Sequence, residues 1–125
     1  MKKLFLSIFV LVASVTVKAQ LANTRWKDTL KLDNPTEVIF DFGEDTLVVT
    51  AVADGSLIET MTYTVEGSVF TIKKINGQSD CDASVLGKYK FDIKGKDMYV
   101  TLVSDDCNDR SSVLDKTTFV KMAKK

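Results

Sequence analysis

Seven consecutive residues, Ser104 to Arg110 with the sequence S-D-D-C-N-D-R, hold much of the reactive chemistry of this chain. They contain three carboxylates, one of the two cysteines and one of the two arginines. Such groups can form a disulfide, hold an anion through the guanidinium, or bind a cation through the carboxylates. The compartment and the elements that position the segment decide between these roles.

The amino-terminal residues predict export. Lys2-Lys3 precedes an apolar run over 4–17, and small residues in 17–19 match the positions that a signal peptidase reads. Because the run is too short for a comfortable membrane span, we expect a signal peptide over 1–19 and one domain over 20–125. No cysteine lies near the cleavage site, so we expect a secreted or periplasmic protein and not a lipoprotein. An uncleaved membrane anchor is the alternative.

Cleavage changes the charge balance. Removing Lys2, Lys3 and Lys18 leaves 14 basic and 17 acidic residues, a net charge of −3. The sequence has no basic cluster interleaved with aromatic residues, so nucleic acid is not an expected partner. We expect a monomer with no membrane span after cleavage.

Both cysteines, Cys81 and Cys107, remain after cleavage. In an exported chain an even pair of cysteines predicts a disulfide, and two reduced thiols are the alternative. A metal site is disfavoured because the chain has no histidine to complete it. We therefore predict neither a metal nor any other cofactor.

The chain after residue 20 consists of short runs rich in Val, Ile, Thr, Phe and Tyr, separated by turn residues. In the clearest run, 88–94, Tyr89, Phe91 and Ile93 alternate with charged residues, which is typical of a half-buried strand. Asp54-Gly55 is the strongest signal for a tight hairpin turn. The eight runs lie at about 25–32, 36–42, 46–53, 57–65, 68–75, 87–94, 97–103 and 117–122.

These runs predict an all-β fold, an eight-stranded antiparallel up-and-down meander that closes into a barrel and so removes its exposed edges. A sandwich of two four-stranded sheets is the alternative. In a meander the fifth and seventh loops, 76–86 and 104–116, emerge at the same end, and each carries one cysteine. A disulfide between them would contribute roughly 3 kcal/mol.

A short helix is expected over 107–114, between strands seven and eight, with Asp105 or Asp106 capping its start. Arg110 on this helix has three possible roles. The favoured role is a structural salt bridge to Asp80 or Asp82, contributing about 1 kcal/mol or less on a partly exposed surface. The second is an anion-binding guanidinium at a pocket mouth. The third, calcium binding by the neighbouring aspartates, fits no known loop spacing.

A family resemblance rests on the sole tryptophan, Trp26 in Thr24-Arg25-Trp26, and on the meander behind a signal peptide. It rests also on the tail of the chain, which begins with Cys81 and continues with G-K-Y-K-F at 87–91 and D-D-C-N-D-R at 105–110. Together these resemble the small bacterial lipocalin-like proteins of the calycin group, over about residues 21–122. Lipocalins proper begin the first strand with Gly-x-Trp, and their middle Thr-Asp-Tyr motif has no counterpart here. The resemblance implies binding of a small hydrophobic molecule inside the barrel; some relatives bind proteins instead.

No catalytic residues are predicted and an enzyme is not expected, because histidine is absent, the cysteines are expected to be oxidised, and no glycine-rich phosphate loop occurs. Two functions remain. The first is a carrier of a small hydrophobic ligand; the alternative is a protein-binding envelope module, an inhibitor or accessory subunit with a filled barrel. Residues predicted to contact a ligand are Phe40, Tyr63, Tyr89, Phe91 and Arg110.

Overall fold

The computed structural model of the chain describes residues 20–123; the predicted signal peptide over 1–19 lies outside the described residues. The described part forms a closed barrel of eight antiparallel strands in chain order, with one helix between the last two. The predicted meander barrel is therefore confirmed, and the sandwich is excluded. The elements are β1 Thr24–Lys31, β2 Pro35–Phe42, β3 Thr46–Ala51, β4 Leu57–Glu66, β5 Val69–Gly77, β6 Leu86–Lys94, β7 Asp97–Asp105, α1 Asn108–Leu114 and β8 Thr117–Met122.

The barrel closes through a short seam between β1 and β8. β1 pairs with β2 along its whole length, but it pairs with β8 only from Arg25 to Lys27. The second half of β1 thus has no strand neighbour on that side, and α1 packs against it there and against β7. The helix fills the gap that the short eighth strand leaves.

The two ends of the barrel differ. We call the end that carries α1 and the loops β1–β2, β3–β4 and β5–β6 the helix end. Two-residue turns close the opposite end at Gly67-Ser68 and Gly95-Lys96, and both glycines have the positive φ that such turns need. The hairpin predicted at Asp54-Gly55 is present, and Gly55 has the positive φ expected of it, but its turn is longer than a tight two-residue turn. Five residues, 52–56, connect β3 to β4, and within them the Asp54 carboxylate accepts the Ser56 N–H.

Aromatic side chains fill the middle of the barrel. Alternation along β4 places Met61 and Tyr63 inside, and along β3 it places Leu47 and Val49 inside. The ring centroids of neighbouring aromatic residues lie 4.6 to 6.4 Å apart. These rings belong to Phe40, Phe42, Tyr63, Phe70, Tyr89, Phe91 and Phe119.

Trp26 lies fully buried toward the opposite end of the barrel. Its indole N–H donates to Thr24 Oγ1 at 2.8 Å. The Thr24 hydroxyl in turn donates to the Leu21 carbonyl, and Leu21 is itself fully buried. The residues just before β1 therefore close that end.

Candidate functional site

The helix α1 starts at Asn108, with Cys107 in extended conformation as its N-cap and no side-chain cap. The predicted aspartate N-cap is wrong. Asp105 Oδ1 instead accepts the Cys107 N–H at 3.0 Å, just outside the helix. The helix buries Arg110 and Leu114, which lie four residues apart and so share the face that looks into the barrel.

Two contacts tie α1 to the loop between β5 and β6. Cys81 and Cys107 form the predicted disulfide, with Cα atoms 5.6 Å apart. The Asp80 N–H also donates to Asp109 Oδ2 at 3.1 Å. Both long loops therefore meet at the helix end, as the meander topology predicts, and they hold the helix in place over the barrel.

Arg110 forms a salt bridge, as favoured, but the partners predicted for it, Asp80 and Asp82, are wrong. Its guanidinium grips Asp105 with two hydrogen bonds, Nε to Oδ2 at 2.6 Å and Nη2 to Oδ1 at 3.0 Å. Nη2 also donates to the Val85 carbonyl at 3.1 Å. The side chains of Arg110 and Asp105 are only 4% and 0% exposed. The pair is thus a buried, bidentate ion pair and not the half-exposed surface bridge that sequence reasoning expected.

Electrostatics around Asp105 favour its charged form. Burial alone raises the pKa of Asp105, but hydrogen bonds from Arg110, from the Tyr89 hydroxyl and from the Cys107 N–H outweigh it, and the pKa lies below its usual value. The Tyr89 hydroxyl donates to Asp105 Oδ2 at 2.5 Å. Burial and that hydrogen bond raise the pKa of Tyr89. Near neutral pH the cluster therefore holds an anionic Asp105 and a neutral Tyr89.

A glycine on the neighbouring strand makes room for this ion pair. Gly87 is directly paired with Asp105 across β6 and β7. A Cβ atom at Gly87 would lie 2.5 Å from Asp105 Oδ2 and 3.0 Å from Arg110 Nε. Any larger residue there would push the two charged side chains apart, so Gly87 is needed for steric reasons.

A second buried charge, Glu59, lies at the same end. It sits on the inward face of β4, in line with Met61 and Tyr63, and is 6% exposed. Ser79 donates both its hydroxyl and its backbone N–H to the Glu59 carboxylate. A Cβ atom at Gly77 would lie 2.0 Å from Glu59 Oε1, so this carboxylate also depends on an adjacent glycine.

A cavity of about 410 Å³ opens at the helix end, above the aromatic core. Its apolar surface comes from the barrel floor and from the underside of α1, and its polar surface from the loops and the two buried charges. The apolar lining comprises Leu30, Leu32, Phe40, Val49, Ile58, Met61, Val113 and Leu114. The polar lining comprises Lys31, Asp33, Glu59, Gln78, Ser79, Asp80, Asp109, Arg110 and Ser112.

The five predicted ligand contacts divide into two groups. Phe40 and Arg110 line the cavity. Tyr63 lies toward the opposite end, where its hydroxyl donates to the Gly43 carbonyl, while Phe91 packs against Phe70 in the core and Tyr89 supports Asp105. Tyr63, Phe91 and Tyr89 are not among the cavity-lining residues, and the ligand contacts of all five stay predictions.

Sequence reasoning missed Glu59, although a signal for it exists. Tyr63 is predicted to contact a ligand and so to face the barrel interior, and a period of two residues carried back along the fourth strand through Met61 reaches Glu59. A carboxylate at an inward position is unusual, because burying a charge is costly unless something pairs with it.

Comparisons with models of known protein families, with curated proteins and with solved structures find no match. Within residues 20–123, no helix has the length and apolar character needed to cross a membrane. In the same range, no group of three or more histidine, cysteine and acidic side chains is arranged to hold a metal ion. The disulfide is typical of proteins that fold outside the reducing cytoplasm.

Proposed function

We propose that this chain is an exported, lipocalin-like binding protein that holds a small ligand with an apolar body in the cavity at the helix end. The observation that carries the proposal is the cavity itself. Its volume of about 410 Å³ falls in the range of small-molecule sites, roughly 300–1,000 Å³. Its apolar floor offers a surface for the body of a ligand, and the nine polar residues of its lining offer partners for a polar end.

The packing of the barrel limits where the ligand lies. Aromatic rings fill the interior beneath Phe40, so the ligand occupies the upper part of the barrel and not its full length. The disulfide between Cys81 and Cys107 and the ion pair of Arg110 with Asp105 fix α1 as one wall. A wall that is already in place lowers the ordering cost of binding.

Export is supported by the basic start and apolar run of residues 1–19 and by the disulfide. N-terminal sequencing of the protein recovered outside the cytoplasm should begin at or near Gln20. A chain that retains Met1 and fractionates with membranes would contradict the export proposal.

Native mass spectrometry of the exported protein tests the binding function. We expect a species heavier than the polypeptide by the mass of one small molecule. Val113→Trp, which places a large ring in the cavity wall, should remove that species, whereas Val120→Trp, at an exposed position on β8, should keep it. A wild-type protein that carries no adduct and binds no small apolar probe would refute the proposal.

A second candidate function, binding of another protein, is favoured by one observation. Ile75, Leu86 and Val103 lie at the helix end of the adjacent strands β5, β6 and β7, and each is at least half exposed. Exposed apolar side chains that lie close together can form part of a protein interface. Replacing all three by serine should abolish partner capture if this function holds, and should leave small-molecule binding intact if the carrier function holds.

A further inference from the structure

Glu59 is a charged side chain that β4 buries at the helix end of the described barrel. The other buried polar or charged side chains within residues 20–123 include Thr24, beside Trp26, Arg110, on the helix, and Asp105, which is paired with Arg110. Glu59 lines the cavity directly. Ser79 holds its carboxylate with two hydrogen bonds. Gly77, which has no side chain, leaves the room that the carboxylate occupies.

Arg110 and Glu59, both buried at this end, differ in how their charges are compensated. Arg110 is neutralised by Asp105 through two short hydrogen bonds. Glu59 accepts hydrogen bonds from Ser79, but within residues 20–123 it has no lysine or arginine nitrogen within 4.0 Å. A buried carboxylate without a cation retains much of its desolvation cost, and a cation arriving in the cavity would offset it.

The rest of the cavity lining is negatively charged on balance, as Glu59 is. Four carboxylates, those of Asp33, Glu59, Asp80 and Asp109, face two cations, Lys31 and Arg110. Because Arg110 is already paired with Asp105, which lies behind it, the charge presented to a ligand is negative. A concave surface of one sign attracts ligands of the opposite sign.

Arg110 does not offer an equivalent site for an anion. Its Nε and Nη2 are engaged by Asp105 and the Val85 carbonyl. The remaining nitrogen, Nη1, has no hydrogen-bond partner but also has almost no open surface. An incoming carboxylate would have to displace Asp105 or move the guanidinium to reach it.

We propose that the ligand is a cationic amphiphile whose ammonium group binds the Glu59 carboxylate while its apolar body rests on the floor formed by Phe40, Val49 and Met61. This rests on the proposed function and names the chemical class that the cavity selects. An ammonium group carries three donors and no acceptor, so it suits the free lone pairs of Glu59. A charge-assisted hydrogen bond in a partly enclosed cavity is stronger than a neutral one in water.

Three probes with the same eight-carbon chain test the proposal: octylamine, octan-1-ol and octanoate, titrated calorimetrically at neutral pH and about 0.15 M ionic strength. We expect octylammonium to bind at least about tenfold more tightly than octan-1-ol, and octanoate more weakly than both. Glu59→Gln keeps the shape and an acceptor for Ser79. It should remove the advantage of the amine and leave the affinity for octan-1-ol nearly unchanged.

Glu66→Gln is the matched control, because it removes the same charge from an exposed position at the other end of the same strand. It should leave all three affinities unchanged. The proposal is overturned if octanoate binds as tightly as octylammonium, if Glu59→Gln keeps the tenfold preference, or if Glu66→Gln abolishes it. Binding of octan-1-ol without a preference for the amine would refute the cationic ligand alone and leave the carrier function standing. Binding of none of the probes would overturn both.

Discussion

Arg110→Met should destabilise the protein far more than a surface charge substitution, by about 3 kcal/mol. Methionine keeps much of the apolar stem that packs under α1 but removes the guanidinium, and so leaves Asp105 buried without its cation. Breaking a buried pair in this way typically costs about 3–5 kcal/mol. We expect Arg110→Met to lose a free energy of unfolding at the lower end of this range, because Asp105 keeps its hydrogen bonds from Tyr89 and from the Cys107 N–H.

Urea unfolding with the disulfide intact measures the effect. Trp26, the sole tryptophan, is fully buried and supplies a fluorescence signal. The midpoint should fall while the slope of the unfolding free energy against urea stays the same. Domains of this size have total stabilities of roughly 5–15 kcal/mol, so the variant should still fold.

Two further variants isolate the charge effect. Arg110→Met combined with Asp105→Asn removes both charges and keeps an acceptor for Tyr89, and it should be more stable than Arg110→Met alone by about 1 kcal/mol or more. Lys94→Ala breaks a salt bridge with Asp92 in which the Lys94 and Asp92 side chains are 71% and 57% exposed. This substitution should lower the unfolding free energy by less than about 0.5 kcal/mol. If Arg110→Met lies within about 1 kcal/mol of the wild type, the pair behaves as an exposed one and our account of the cluster is wrong.

Three other outcomes follow from the same structure. The disulfide joins residues that are 26 apart in the sequence. Its reduction should lower the unfolding free energy by about 3.5 kcal/mol under the loop-entropy relation. Equal urea midpoints for the oxidised and reduced protein would contradict this. The pKa of Asp105 is held below its ordinary value of 3.8, so its stabilising contribution to the unfolding free energy is present above pH 3.8 and is lost as the pH falls through the folded pKa. Urea unfolding from pH 5 to pH 2 should therefore show a smaller loss of stability in Asp105→Asn than in the wild type. Identical pH profiles of the two proteins would contradict this role of Asp105. Phe91→Ala should lower the unfolding free energy by about 3–5 kcal/mol because the ring is buried. Lys90→Ala, on the outer face of β6, should lower it by less than about 0.5 kcal/mol. Similar losses for the two variants would mean that the faces of β6 are misassigned.

The strands were predictable because their residues obey a local rule. Alternation of apolar and charged residues over 88–94 fixes the inward face of β6 without knowledge of its neighbours. The disulfide was predicted from an even pair of cysteines in a chain expected to be exported, and the meander topology allows it because two loops of equal parity emerge at the same end of the barrel. The Asp54-Gly55 signal located the hairpin between β3 and β4 but not the length of its turn, because that length depends on how the two strands pair.

The site was less predictable because it depends on distances that cross the sheet. Asp80 and Asp82, which flank Cys81, were the predicted partners of Arg110. The guanidinium instead binds Asp105, at the end of β7, with two hydrogen bonds. The cavity lies between the aromatic core, the loops at the helix end and α1, so it depends on how segments distant in the sequence pack together and not on any motif. The roles of Gly77 and Gly87 likewise appear only when the side chains of the adjacent strands are in place.

The most direct test of the central claim, that the cavity at the helix end binds a small molecule with an apolar body, is an NMR titration of the isotope-labelled protein with octan-1-ol. Our account predicts saturable shifts of the signals of Leu30, Ile58 and Val113, which line the cavity, and unchanged signals for Leu86 and Val103 on the outer surface. Shifts confined to the outer surface, or no saturable shifts at all, would contradict it.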